Sequence, residues 1–367
     1  MTTKFITRLI FPAIVAALAP ISRCPGESAD SVRSESRMIK IGVVTDLTGH
    51  GASYGVQTKI GAELAAEDLR SEGANVEIMV EDTALKPAQA LSATQKLLHQ
   101  DSVNAVLSNF TSVSTAISPL MRNAKRLLVY LAAARSIVDS NPYALKSYSD
   151  YEDGCEAVAR QFRKEGITRI GILRAEAEFG ELCARGVRKV YSDPIEISYT
   201  TGESVRTQTL LLKTKGAQAI VNGCYEGDLL NTLQAAKDIG YAVRLATGED
   251  NLTAAVRLKY GSSLEGALTW GVLAPPNALI DRANARVPHP LPGHENVGLA
   301  YLHTKQMYRA LVACPASDIA CVMNKMESAA PEPEFGFQSW ERRIAQLTTP
   351  VKRFENGALE DVSLAPR

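Results

Sequence analysis

From residue 39 onward the chain switches repeatedly between two hydrophobic periods, and this alternation constrains its fold more than any other feature. Short runs rich in β-branched residues fall at 39–45, 76–81, 103–108, 126–130, 168–173, 195–199, 217–222 and 268–272. Amphipathic stretches at 56–71, 87–99, 114–123, 152–164, 179–190, 226–239, 252–260 and 297–313 lie between or after them. Strand, helix and strand repeated this often predict parallel sheets covered by helices on both faces. The repeats form two sets, one before about Ser149 and one after. The expected fold is α/β, with two doubly wound parallel-sheet lobes whose ligand-facing loops lie at the carboxyl ends of the strands. At 367 residues the chain is too long for one compact core, and a hydrophobic content of 46% can build two.

Composition excludes several partners. Lys plus Arg and Asp plus Glu each number 40, so there is no excess positive charge to neutralise phosphates and no nucleic-acid partner is expected. Catalysis finds no motif either: a G-x-S-x-G elbow, HExxH, a P-loop and a cysteine quartet are all missing, so the chain is not expected to be an enzyme. His289 and His294 stand in a Pro-rich loop without further ligands, and no metal is expected there. Gly49, Gly51 and Gly55 approximate a dinucleotide fingerprint, with Glu81 and Asp82 where an acid would hold a ribose. The spacing is G-x-G-x-x-x-G, one residue too long, and the Tyr301/Lys305 pair lies far downstream in an amphipathic helix. No cofactor is expected.

The first residues read as an export signal, because Lys4 and Arg8 precede an apolar run at 9–21 that is too short for a permanent anchor. Residues 1–23 are taken as this signal and 24–38 as a polar, disordered leader, which makes the mature chain periplasmic. Cys24 invites lipidation, although Arg23 stands where such signals usually carry a small residue.

Two clusters suggest a binding site. At 103–119 an apolar run ends in small hydroxyl residues that open a helix, and a helix start exposes backbone N–H groups with partial positive charge. With the hydroxyls of Ser112, Ser114 and Thr115 they would cradle a carboxylate. The alternative is a plain helix cap. The second cluster is Glu249 and Asp250, adjacent acids expected at a strand's carboxyl end, where they would trap a cation or cap the next helix.

In order along the chain, IGVVTDLTGHGASYGVQTKIGAELAAEDL, VEDTALKPAQALSATQKLL, the serine turn and ILRAEAEFGELCARGV resemble the periplasmic substrate-binding proteins for branched-chain amino acids and amides, the receptors of ABC importers. The resemblance runs from about Met38 to the C-terminus. It implies a type I periplasmic binding fold joined by a three-crossing hinge, with lobe 1 at 39–149 and 276–335 and lobe 2 at 150–275 and 336–367, the third crossing falling at 331–337. It implies that a small ligand, an amino acid, amide or aromatic acid, is bound between the lobes and passed to a membrane permease by a monomeric receptor. A ligand sensor on the same fold is the alternative. Tyr54 would close over the ligand. The carboxylate would meet Ser112, with Ser114 and Thr115 nearby, and the loop at Ala132 and Ala134, where Ala134 replaces the usual threonine. Lobe 2 would bring Phe179 and Tyr225, with Glu249 for the ammonium and Asp250 as a cap. The resemblance also suggests a disulfide between Cys314 and Cys321, and the pairing of Cys155, Cys183 and Cys224 is left open.

Overall fold

The computed structural model describes residues 37–49, 51–291 and 293–362, so the signal at 1–23 and Cys24 lie outside the described residues. The first half runs β1 (Ile39–Thr45), α1 (Ala52–Ser71), β2 (Val76–Asp82), α2 (Pro87–His99), β3 (Ala105–Asn109), α3 (Thr111–Asn123), β4 (Leu127–Leu131), α4 (Ser136–Ser140) and β5 (Ala144–Lys146). The second half repeats the plan with α5 (Tyr151–Lys164), β6 (Ile170–Ala175), α6 (Glu178–Arg188), β7 (Ile195–Tyr199), α7 (Arg206–Thr214), β8 (Ala219–Val221), α8 (Glu226–Asp238), β9 (Arg244–Gly248), α9 (Ala254–Leu264) and β10 (Leu268–Trp270). The chain ends with α10 (Asn277–Asn284), α11 (Glu295–Ala313), α12 (Ile319–Glu327), β11 (Phe337–Glu341), β12 (Ile344–Leu347), β13 (Val351–Glu355) and β14 (Ala358–Asp361).

Two seven-stranded sheets result, ordered β11-β12-β5-β4-β3-β1-β2 and β14-β13-β10-β9-β8-β6-β7. Each core pairing is parallel, as among β2, β1, β3, β4 and β5, while β11 and β13 run antiparallel to β12 and β10. In both sheets the strand order reverses beside the first strand, between β1 and β3 and between β6 and β8. Such a reversal sends the neighbouring connections to opposite faces and opens a crevice at the carboxyl ends.

Three segments cross between the sheets, at 147–150, 271–276 and 348–350. The last corrects the expected crossing at 331–337: β11 and β12 still belong to the first sheet, where Ile344 pairs with Lys146, and only β13 and β14 join the second. The reason is a hairpin turning on Arg342 and Arg343, both at positive φ, which carries no Gly or Pro signal. The Asn356-Gly357 turn does carry that signal, and it closes β13 on β14.

Cys314 and Cys321 are bonded across the turn between α11 and α12, and Cys155 and Cys183 join α5 to α6, leaving Cys224 as a buried free thiol. The second lobe is bound together where α5 lies on β10: a Cβ added at Gly154 would stand 2.2 Å from Trp270 Cδ1. The fully buried indole leaves no room for it to move. Gly154→Ala should therefore lower the unfolding free energy by about 1–3 kcal/mol through overpacking. Urea unfolding measures it, and an unchanged midpoint would show that α5 and β10 are less closely seated.

Candidate functional site

Both switch points face one cavity, and the local sequence explains how. After β1, the carboxylate of Asp46 accepts from the N–H groups of Gly49 and Gly51 at 2.6 Å, and Asp82 accepts from Leu47 N–H at 2.8 Å and Thr48 Oγ1 at 2.6 Å. The glycine loop therefore spends its donors internally rather than on a phosphate. Gly55 lets α1 begin against this loop, since a Cβ there would lie 1.6 Å from Asp46 O, and the tight start directs Tyr54 into the cleft. After β3, Phe110 adopts φ 64° and ψ 136°, a conformation rare outside glycine, and α3 starts at once with Thr111. The backbone N–H groups of Thr111, Ser112 and Val113 thus have no intrahelical acceptor, and no side chain caps them.

The cavity wall is aromatic: Tyr54, Phe110, Tyr148, Tyr151, Phe179 and Tyr225. Tyr151 and Phe179 lie 5.7 Å apart between ring centroids, and Phe179 and Tyr225 lie 5.0 Å apart. The other lining residues are Asn109, Thr111, Leu131, Ala132, Ala133, Asp250 and Asn296. Among the described residues no Lys, Arg or His lines the cavity, so Asp250 is the single formally charged group of the described wall.

Asp250 faces the cavity but is walled off from bulk water, and this desolvation pushes its carboxyl up to about 6, against the hydrogen bond donated by Tyr148 Oη, with the nearby Glu249 raising it further. Burial also raises the phenols of Tyr54 and Tyr148, which therefore remain donors. Asn109 is fixed by Thr45 Oγ1 at 2.8 Å and by donation to Thr58 Oγ1 at 3.0 Å. Asn296 Oδ1 is buried with no hydrogen-bond partner.

Four residues expected at the site, Tyr54, Ala132, Phe179 and Tyr225, are brought together here. Five are not. Ser112 and Thr115 are exposed on α3, and Ser114 is buried behind it, its hydroxyl 2.8 Å from Ser108 Oγ. The helix starts one turn earlier than the hydroxyl cluster suggested, which carries these side chains past the cleft. Ala134 is buried beneath the loop, its carbonyl accepting from Tyr130 Oη at 2.8 Å.

Glu249 turns away to Lys352 of β13, 2.7 Å distant, with its other oxygen buried and unpartnered. Desolvation raises its carboxyl, and Lys352 opposes the rise. Glu249 and Asp250 share a 3₁₀ turn, Glu249–Asn251, which rotates about 120° per residue, so adjacent acids point to different sides. The capping role expected of Asp250 falls to Thr253, whose hydroxyl accepts from Val256 N–H at the start of α9. Sequence reading missed Asn109, Tyr148, Tyr151 and Asn296. Tyr148 lies on the first crossing and Tyr151 follows it, which was the available signal, whereas nothing in the sequence around Asn296 marks it.

Hydrogen bonds hold the lobes together around the cavity. Tyr54 Oη donates to Asn251 Oδ1 at 3.2 Å, and Glu178 accepts from Arg135 N–H at 2.8 Å, Ser136 N–H at 3.2 Å and Ser136 Oγ at 2.7 Å. Arg135 pairs in turn with Asp150 at 2.6 Å.

Paired α/β lobes with facing switch points around one cavity define a two-lobed cleft-binding protein. The chain belongs to the periplasmic binding protein family, whose model matches residues 38–351. It is 25% identical over 244 residues to the Leu/Ile/Val-binding protein of Escherichia coli, a match covering 63% of this chain and 66% of that relative, just under two thirds of its length. A leucine-binding protein from Thermotoga maritima superposes with a TM-score of 0.79 at 16% identity, covering 89% of this chain and 98% of that one. A solute-binding protein of an ABC transporter from R. palustris, in complex with 4-hydroxybenzoate, also gives 0.79, at 19% identity, covering 89% and 96%. Among the described residues no helix is long and apolar enough to cross a membrane.

The raised carboxyl of Asp250 has a defined effect on stability. From an ordinary 3.8 to about 6, the folded chain holds a proton there that the unfolded chain has released, so this group's contribution to stability falls as pH rises through that window. Asp250→Asn keeps the shape and removes the titration. Its stability relative to the parent should increase between about pH 4 and 6 and then level off. Urea unfolding at half-unit pH steps checks this, and a flat difference would mean that Asp250 is well solvated.

Proposed function

We propose that the protein is an extracytoplasmic solute receptor that binds a small amino acid-like ligand between its lobes and delivers it to an ABC importer. The observation that carries this reading is the polarity of the cavity. Uncapped N–H groups at the start of α3 lie in the first lobe, and a desolvated carboxyl, Asp250, lies in the second. A helix start favours an anion, and a desolvated carboxylate favours a cation, so a zwitterion spanning the cleft pairs both charges. The Ala132–Ala133 backbone would assist with the ligand carboxylate, and the unpartnered Asn296 Oδ1 accepts one further donor. Ligand-driven closure would then present a shape to the permease.

A second reading, a receptor for aromatic acids, draws support from the six aromatic side chains and from the 4-hydroxybenzoate bound by the neighbour from R. palustris. The two readings differ in their need for Asp250. An amine must meet an ionised carboxylate, whereas an aromatic acid gains when that carboxyl is protonated. Calorimetric titration with L-leucine, L-phenylalanine and 4-hydroxybenzoate at pH 7.5 and 5 separates them. Amino-acid affinity should fall on acidification through about 6 and drop by about 10²-fold in Asp250→Asn, while Glu249→Gln changes it little. Binding of 4-hydroxybenzoate alone, equal or tighter at pH 5, would favour the second reading, and binding of none of the three would count against both ligand classes.

A further inference from the structure

We propose that the Cys155–Cys183 disulfide is a positioning element of the ligand cavity, holding the aromatic wall formed by Tyr151 and Phe179. This rests on the reading of the cavity as the ligand site. Tyr151 opens α5 and Cys155 follows four residues later; Phe179 stands in the first turn of α6 and Cys183 follows four residues later. Residues four apart lie on one helix face, one above the other. The bridge, with Cα atoms 5.1 Å apart, therefore joins the two helices one turn beneath a pair of rings whose centroids are 5.7 Å apart. Both rings line the cavity and both are buried.

Two further observations make the bridge more than a general staple. First, the helix starts are unequal. α5 is capped by Asp150, which accepts from the N–H groups of Glu152 and Asp153, whereas Ala177 gives α6 no side-chain cap. An uncapped first turn is the part of a helix most ready to fray, and Phe179 sits in it. The bridge ties that turn's neighbour to the capped helix. Second, the loop after β8 rests on the bridge. A Cβ added at Gly223 would lie 2.9 Å from Cys183 Cβ and 3.1 Å from Tyr151 Cδ1. That loop leads to Tyr225, whose ring is 5.0 Å from Phe179. Tyr151, Phe179 and Tyr225 thus share one support.

The bridge between Cys314 and Cys321 touches none of these residues and serves as the control. Cys155→Ala/Cys183→Ala is compared with Cys314→Ala/Cys321→Ala, and Cys155→Val/Cys183→Ala refills the space should the first variant fold poorly. Tyrosine-labelled NMR of the unliganded proteins reads the ring signals of Tyr151 and Tyr225, and L-leucine and 4-hydroxybenzoate serve as binding probes. The expected result is shifted or broadened Tyr151 and Tyr225 signals and affinity weaker by about tenfold without the 155–183 bridge, with parent-like signals and less than about twofold change in the control. Parent-like ring signals in a variant that has merely lost thermal stability would overturn the proposal. Altered signals in a chain that binds neither probe, with or without the bridge, would support the positioning role and instead remove the ligand reading for those probes.

Discussion

The structure turns on a carboxyl group placed between two lobes. Withdrawing Asp250 from water is costly, and its compensation comes chiefly from the phenol of Tyr148, which lies on the first crossing. The crossing is in turn held from below. Lys146, fully buried at the end of β5, donates to Tyr148 O at 3.3 Å and lies 3.8 Å from Asp150, which caps α5 and pairs with Arg135. Burial lowers the pKa of the Lys146 ammonium and Asp150 opposes that fall, so the carboxylate that caps α5 also supports the buried charge beneath the crossing. The orientation of the hinge and the protonation of the cavity acid are therefore one problem, solved by the same few residues.

The two sheets supply the rest by repetition. Because each reverses its strand order next to its first strand, the loops after β1 and β3 in one lobe face those after β6 and β8 in the other. The lobes use the same geometry for different chemistry. The first offers backbone donors at a strained helix start, and the second offers rings and an acid. Glu178 links the two directly, satisfying the N–H groups of Arg135 and Ser136 across the cleft. This contact supplies α4 with the N-terminal acceptor that its own sequence lacks.

The parts of this arrangement that are written in local periodicity were legible in the sequence. β1 carries the expected limits because a β-branched run buried in a parallel sheet reads continuously, and β7, partly buried at the sheet edge, carries them through the alternation of IEISY. Tyr54, Phe179 and Tyr225 were reached through the family resemblance, on the SYG and AEFG motifs and the strand end VNGCYEGD. What escaped was set by rotation or by distant partners. One residue of phase decides whether Glu249 or Asp250 meets the cavity, and that phase is fixed by Lys352, about a hundred residues away, as the separation of 103 shows. The hydroxyls of Ser112 and Thr115 marked the right turn, but Phe110 starts the helix early through a backbone angle that its side chain does not advertise. Asn296 opens α11 after a Pro-rich loop with no strand before it, so no βα unit points to it. β11 and β12 turn at two arginines, residues that signal exposure rather than a hairpin.

The cavity residues bear on selectivity: on the proposed receptor reading each lobe's contacts with ligand would be complete only in a closed form, so affinity and closure would be the same free energy seen from two sides. Two lining residues on opposite lobes carry polar groups with little compensation, Asn296, whose buried Oδ1 has no hydrogen-bond partner, and the desolvated acid Asp250. A solute satisfying only one of them would leave the other's desolvation uncompensated, and closure around it would be disfavoured by that amount. On that reading, selection among small solutes of similar shape would be exerted through the hinge equilibrium, by polar atoms left without protein partners, while the aromatic wall would set the size of what enters.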